Sequence, residues 1–324
     1  MKRLFFLLFA IIGSLATIFT PQMLPAQVVQ QHGQLQVKGV QLCNARGEAV
    51  VLHGVSFGWH NLWPRFYNAG AVNELIDLWH PTVVRASMGI ELNRKGFLKS
   101  PGQSVELMKQ VIDACIARNV YVIVDWHDHN IHQDEAIGFF TEMAKTYGDK
   151  PHVLWEIFNE PDEESWPEVK AYSEAVIKAI RAIDPDNIIL VGSPKWDQDI
   201  HLAAADPIAG VSNLMYTMHF YAGTHKKWLR DRTDEAIAKG LPVFVSECAG
   251  MEASGNGPID ELEWLAFKQW MDNKKISWVA WSISDKDETC SMLLPAAKSN
   301  GGWTDAVIKP WGVMVRQALK TYLP

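Results

Sequence analysis

Two glutamates stand out because each closes an otherwise apolar run. Glu160 ends Val153-Leu154-Trp155-Glu156-Ile157-Phe158-Asn159-Glu160, before Pro161, and Glu247 ends Val243-Phe244-Val245-Ser246-Glu247. Glutamate disfavours strands, so each of these carboxylates needs a reason to be there. Two carboxylates facing each other are what glycoside hydrolysis requires. One protonated carboxyl donates to the leaving oxygen while the other attacks the anomeric carbon or activates water. A structural ion pair with a buried cation competes as a reading of either glutamate alone, and is far weaker for both at one mouth. Glu156 and Asp125 are read as such deeper, cation-paired residues.

Tryptophan adds a second signal. The chain has 14 Trp against 7 Tyr and 13 Phe, more than a core requires. An indole offers a flat apolar platform with an N–H donor at its edge, which suits the apolar C–H face of a sugar ring. Trp59, Trp63, Trp126, Trp196 and Trp281 fall at or just beyond the ends of strand-like runs. Trp155, Trp228, Trp264, Trp270 and Trp278 lie within elements and are read as packing.

The elements that must position these groups recur as short β-branched or aromatic runs, each followed by an amphipathic helix. Strands are expected at Val50–Phe57, Thr82–Met88, Tyr121–His127, Val153–Glu160, Ile188–Gly192, Leu214–Tyr221, Val243–Glu247 and Ser277–Ile283. In the second helix Met108, Val111, Ile112, Cys115 and Ile116 fall on one face. Eight such units imply parallel strands with crossover helices and a (β/α)8 TIM barrel. An open doubly wound sheet would need a glycine-rich turn after the first strand, where Phe57-Gly58-Trp59-His60 stands. Leu35–Leu42 and Ala49–Leu52, flanking Asn44-Ala45-Arg46-Gly47, read as a hairpin closing the barrel bottom. Function then belongs at the strand C-termini, where the candidate groups collect.

Hydrophobic residues make up 48% of the 324 and the net charge is −7, which excludes a disordered chain and a nucleic-acid partner. Residues 1–26 read as a cleaved signal peptide: Lys2-Arg3, an apolar run to Phe19, and a small residue at Ala26. The run is too short to span a bilayer, so no membrane association is expected after cleavage. Residues 27–33 form a short N-terminal segment and 34–324 a single catalytic domain. Cys43, Cys115, Cys248 and Cys290 match no zinc or CxxC spacing and read as free core thiols, with an oxidised pair as the alternative in an exported protein.

The run Ile157-Phe158-Asn159-Glu160-Pro161 resembles the Asn-Glu-Pro signature of glycoside hydrolase family 5, the cellulase family. Val124–His127, His219-Phe220-Tyr221, Val245-Ser246-Glu247 and Trp281–Glu288 resemble its endo-β-1,4-glucanase branch, in order and on the right strands. The resemblance covers about Gln34 to the C-terminus. It implies a retaining mechanism with Glu160 as acid/base and Glu247 as nucleophile. Asn159 would bond the sugar 2-hydroxyl, Arg85 would keep Glu247 ionised, Tyr221 would donate to Glu247, and His219 would set the protonation of Glu160. His60, Trp63, His127, Trp196, Trp281, Lys286 and Glu288 would contact substrate. His60 sits two places later than the family pattern, and Met88-Gly89-Ile90-Glu91 replaces an aromatic that often follows Arg85.

The implied partner is a β-glucan met by a monomer, secreted or periplasmic in a bacterium, with no cofactor and no metal. His127, Asp128, His129, His132, His219 and Asp285 form a metal-ligand inventory, but binding needs convergent geometry, and His129 and His132 read as a solvated loop. A barrel that binds sugar without cleaving it would lack a carboxylate. Mannan, xyloglucan or mixed-linkage glucan remain alternative substrates, because loops such as 57–68 and 286–304 decide the polymer.

Overall fold

The computed structural model describes residues 27–91 and 95–323. The expected signal segment and its cleavage point lie outside the described residues. A two-stranded antiparallel ladder, β1 (Gln36–Lys38) and β2 (Gln41–Cys43), precedes eight parallel strands. These are β3 (His53–Phe57), β4 (Val83–Gly89), β5 (Tyr121–His127), β6 (Val153–Glu156), β7 (Ile189–Val191), β8 (Leu214–Tyr221), β9 (Val243–Ala249) and β10 (Trp278–Ile283). They close in chain order, β10 pairing with β3. Closure decides for the (β/α)8 barrel over the open sheet.

Helices follow the strands where the apolar stripes place them, for example Pro101–Ala117, Gln133–Tyr147 and Lys227–Ala238. Trp166–Arg181 starts at a capping box in which Ser165 and Glu168 satisfy each other's free backbone N–H groups. The expected fourth strand is shorter than the apolar run. Its ladder stops at Glu156, and Glu160, ahead of Pro161, has φ of 21°.

Along β4, β5 and β6 alternate residues point into the barrel, as the two-residue strand period demands. Val83, Tyr121, Ile123 and Leu154 fill its lower half. Leu35 and Leu42 from the hairpin cap that layer, together with Val28 and Val29 of a short helix, Val28–His32. The hairpin therefore closes the bottom, with one correction. The β1–β2 reversal is at Gly39-Val40, and Asn44–Gly47 makes a second reversal that bridges Cys43 to Ala49. Asn44 Oδ1 accepts from the N–H groups of Arg46 and Glu48, a side-chain turn that a search for one reversal overlooks.

One irregularity matters for the site. Between β8 and β9 the register runs Thr217–Phe244 and then His219–Glu247, and the β9–β10 register slips likewise. Strand β9 thus carries one extra residue in a bulge. Phe244 points inward below it, and Cys248 outward above it. Ser246 and Glu247, adjacent in sequence, both reach the interior.

All four cysteines are free and buried, as expected. No described helix is long and apolar enough to cross a membrane.

Candidate active site

Glu160 leaves the top of β6 and Glu247 the bulge of β9. One oxygen of each carboxylate and one ring nitrogen of His219 lie within 4.8 Å of one another. That approach fits the ~5–5.5 Å separation of a nucleophile and an acid/base, not the ~6.5–9.5 Å that leaves room for a water.

Arg85, fully buried on β4, organises the floor. Its guanidinium meets Glu156 at 2.7 Å, Asp125 at 2.9 Å and Glu247 at 2.9 Å. It also donates to Asn159 Oδ1 at 2.7 Å, which leaves Asn159 Nδ2 buried without a partner beside the carboxylate pair. Glu156 and Asp125 are therefore the cation-paired residues that their depth suggested. Burial works against the Glu156 charge, but Arg85 and His219 overcome it and hold the carboxyl at about 2. Burial keeps Asp125 well above the usual carboxylate range despite Arg85, and Asp125 meets His127 Nδ1 at 2.7 Å.

The two facing carboxylates have unequal surroundings. Glu247 receives Arg85 Nη1 at 2.9 Å and the Tyr221 hydroxyl at 2.7 Å. Burial, and then the nearby Glu160 charge, still lift it above the ordinary glutamate value. Glu160 faces His219 Nδ1 at 3.0 Å. Burial opposes its charge, but the His219 hydrogen bond and positive charge prevail and lower it. This differs from a Glu160 that simply carries the proton. The Ser246 hydroxyl donates to Glu156 Oε1 at 2.7 Å, so its oxygen accepts from His219 Nε2 at 2.9 Å. With Nε2 committed as a donor, the mobile proton sits on the His219 Nδ1–Glu160 edge.

Above the pair opens a cleft of about 340 Å³ lined by Trp59, Trp63, His127, Trp281, Lys286 and Glu288, among others. Trp281 stacks on His127 with centroids 5.1 Å apart and planes 8° from parallel. Trp59 stands edge-on to His127 at 4.3 Å. It passes over Gly89, where a Cβ would lie 2.8 Å from the indole, so the small residue after Arg85 makes room for an aromatic from the neighbouring loop. Lys286 and Glu288 form an ion pair at the rim.

A family model described as "Cellulase (glycosyl hydrolase family 5)" matches residues 43–287. The chain belongs to glycosyl hydrolase family 5. It is thus a glycoside hydrolase of the cellulase family. Among relatives, an endoglucanase of Clostridium saccharobutylicum is 38% identical over 98% of this chain and 72% of its own length. Endoglucanase Z of Dickeya dadantii is 41% identical over 80% of this chain and 62% of its own. The chain thus spans roughly two thirds of the length of these relatives. A solved protein from Cytophaga hutchinsonii superposes with a TM-score of 0.89 at 41% identity, covering 91% of this chain and 96% of that one. The catalytic domain of Thermobifida fusca endoglucanase Cel5A gives 0.85 at 33%, covering 90% and 99%, and a variant of it is solved with cellotetraose.

Most residues carried over from family 5 converge on the cleft, but His60 does not. It is 1% exposed, with Nε2 on Ser104 and Nδ1 accepting from Gly89 N–H. Both nitrogens are spent holding the loop behind the cleft, so it has none left for substrate. Trp126 is buried against Phe97 and Phe139, because the strand period turns it outward between Asp125 and His127. Trp196 lies outside the cleft lining, 43% exposed, its backbone N–H donating to Pro161 O beside Glu160. Trp228, read as packing, is 42% exposed beneath Arg232. His129 lines the cleft and meets the Glu160 backbone oxygen at 2.9 Å, not a solvated loop. Its spacing from His127, two residues along the same strand end, was the available signal. Of the metal-ligand inventory, His132 joins Asp128 and Glu91, and Asp285 joins Arg65, while His127 and His129 line the cleft and His219 stands by Glu160.

Proposed function

We propose that this family 5 enzyme cleaves internal β-1,4-glucosidic bonds of a β-glucan with retention of configuration, Glu160 serving as acid/base and Glu247 as nucleophile. The short carboxylate separation carries the reading. A glucosyl unit lies over Trp281 and His127, its 2-hydroxyl within reach of the free Asn159 Nδ2. The proton on the His219–Glu160 edge passes through Glu160 to the leaving oxygen. Its departure from His219 removes the Glu160 charge that lifts Glu247, and Arg85 and Tyr221 then favour the bare nucleophile. Glu247 bonds to the anomeric carbon as the C–O bond breaks. Water then attacks that carbon, gives its proton to Glu160, and frees Glu247. Trp196, beside the Glu160–Pro161 turn, offers a platform to the leaving part of the chain. Asn159 recognition and the ion pair at Lys286–Glu288 supply further hydroxyl contacts.

The open cleft suits binding within a long chain, and the named activities of the relatives support a glucan. A polymer of that size does not enter a cell, which supports export by the N-terminal segment to the periplasm or beyond. The enzyme acts as a monomer. The test is reducing-end release from carboxymethylcellulose, lichenan, mannan and xylan side by side, with the first product anomer followed by NMR. Rapid chain shortening of the glucans with a β anomer is expected. Preference for mannan or xylan, or an α anomer, overturns the reading.

A further inference from the structure

A buried acid that the reaction scheme leaves unused stands behind His219. Asp197 follows β7 and is fully buried. Its Oδ1 accepts from Ser193 N–H. Its Oδ2 has no hydrogen-bond partner and lies 3.5 Å from His219 Nε2. The backbone goes to unusual lengths to put it there. Lys195, Trp196 and Asp197 have φ of 57°, 55° and 58°, a run of left-handed residues without a glycine. Such strain persists where the surrounding structure imposes it, and it clusters at functional sites. Here it turns Trp196 out to solvent and Asp197 into the barrel.

We propose that Asp197 is a positioning residue of the hydrolytic site. Its carboxyl, held against the Nε2 edge of His219 by the left-handed turn, sets how tightly the His219–Glu160 pair keeps the proton destined for the leaving oxygen. The proposal rests on Glu160 being the acid/base. His219 donates from Nε2 toward Ser246, with Glu156 at 3.7 Å and Asp197 at 3.5 Å on that edge and Glu160 on the other. A negative charge behind Nε2 stabilises the imidazolium and so retains the proton. The other charged or titratable neighbours include Arg85, Asp125, Glu247 and Tyr221 on the floor and the rings of His127, His129 and His225. Burial pushes Asp197 up to about 7, against the pull of His219. Its charge therefore switches on near neutrality.

The consequence is asymmetric. Below neutrality Asp197 already carries a proton, and an asparagine there changes little. Above it the asparagine removes one negative charge, so the pair loses its proton at lower pH. In Asp197→Asn of the full chain, kcat/KM for cellotetraose should keep its acid limb and move its alkaline limb down by on the order of one pH unit. An unmoved alkaline limb, or a uniform loss with an unchanged profile, overturns the proposal. A second measurement needs no variant of Asp197. The ¹⁵N shifts of the His219 ring, assigned by their loss in His219→Gln, should show a ring doubly protonated past its ordinary range with an inflection near pH 7. A single titration at the ordinary histidine value overturns the proposal even if Asp197→Asn does not fold. Failure of the wild type to cleave any glucan would instead refute the hydrolytic reading and leave the NMR inflection standing.

Discussion

The lower and upper halves of this barrel use the same strands and the same alternation, yet they are held by opposite physics. On β4 the inward residues are Val83 below and Arg85 above; on β5, Ile123 and then Asp125; on β6, Leu154 and then Glu156. The lower layer gains from every apolar surface withdrawn from water. The upper layer takes one guanidinium and three carboxylates out of water, which is unfavourable unless each finds its partners. The bottom is thus built for stability, and the top tolerates a conflict of charges that gives Glu160 and Glu247 different proton affinities. Height along one strand decides whether an inward position stabilises the fold or performs the chemistry.

The sharpest way to break this contrast is Glu247→Gln. It should lower kcat/KM by ~10⁴-fold or more, about 5.5 kcal/mol of transition-state stabilisation, with little change in Tm. A reducing-end assay beside a melting curve checks both halves; appreciable turnover sinks the nucleophile assignment. Glu160→Gln should cost ~10²–10⁴-fold on glucan, and less on aryl glycosides whose leaving group needs no proton. Equal losses on both substrates contradict the acid role.

Arg85→Met tests the top as structure. It leaves Glu156, Asp125 and Glu247 without their cation and should destabilise by ~3–5 kcal/mol in urea unfolding, while turnover collapses. Leu154→Ala tests the bottom, with ~2–5 kcal/mol lost to the cavity and kcat/KM unchanged for the folded fraction. A catalytic defect in Leu154→Ala would show that the two layers are coupled. The smallest effect is a position on the pH axis. A nucleophilic Glu247 must be ionised and burial raises it, so activity should fall, as pH drops, above the ordinary glutamate value of 4.5. The His219 pair is raised, so the alkaline limb lies above 6.5. The pH dependence of kcat/KM reads both limbs.

Much of the architecture is legible in the sequence for physical reasons. Eight apolar runs with helical stripes between them imply a barrel, because parallel strands buried on both faces need apolar runs and crossover helices. Glu160 and Glu247 are visible because carboxylates are costly at the ends of such runs. His60 misled because residue type says nothing of where the ring nitrogens are spent, and Ser104 and Gly89, which claim them, come from other elements. Trp126 misled because adjacency to Asp125 hides the strand period that sends the two to opposite faces. Asp197 is not legible in the sequence, because nothing in Pro194-Lys195-Trp196-Asp197 announces a left-handed turn.

The amino-acid order alone determined the number of strand–helix units, the apolar face of each, and which acids close which apolar runs, since these are local properties of composition and period. Tertiary structure alone decided that Arg85 meets three carboxylates, that a β9 bulge brings Ser246 and Glu247 inward together, and that His219 shares its proton with Glu160. Those outcomes depend on register and distance between segments far apart in the chain, and charges buried a few ångströms apart set one another's protonation.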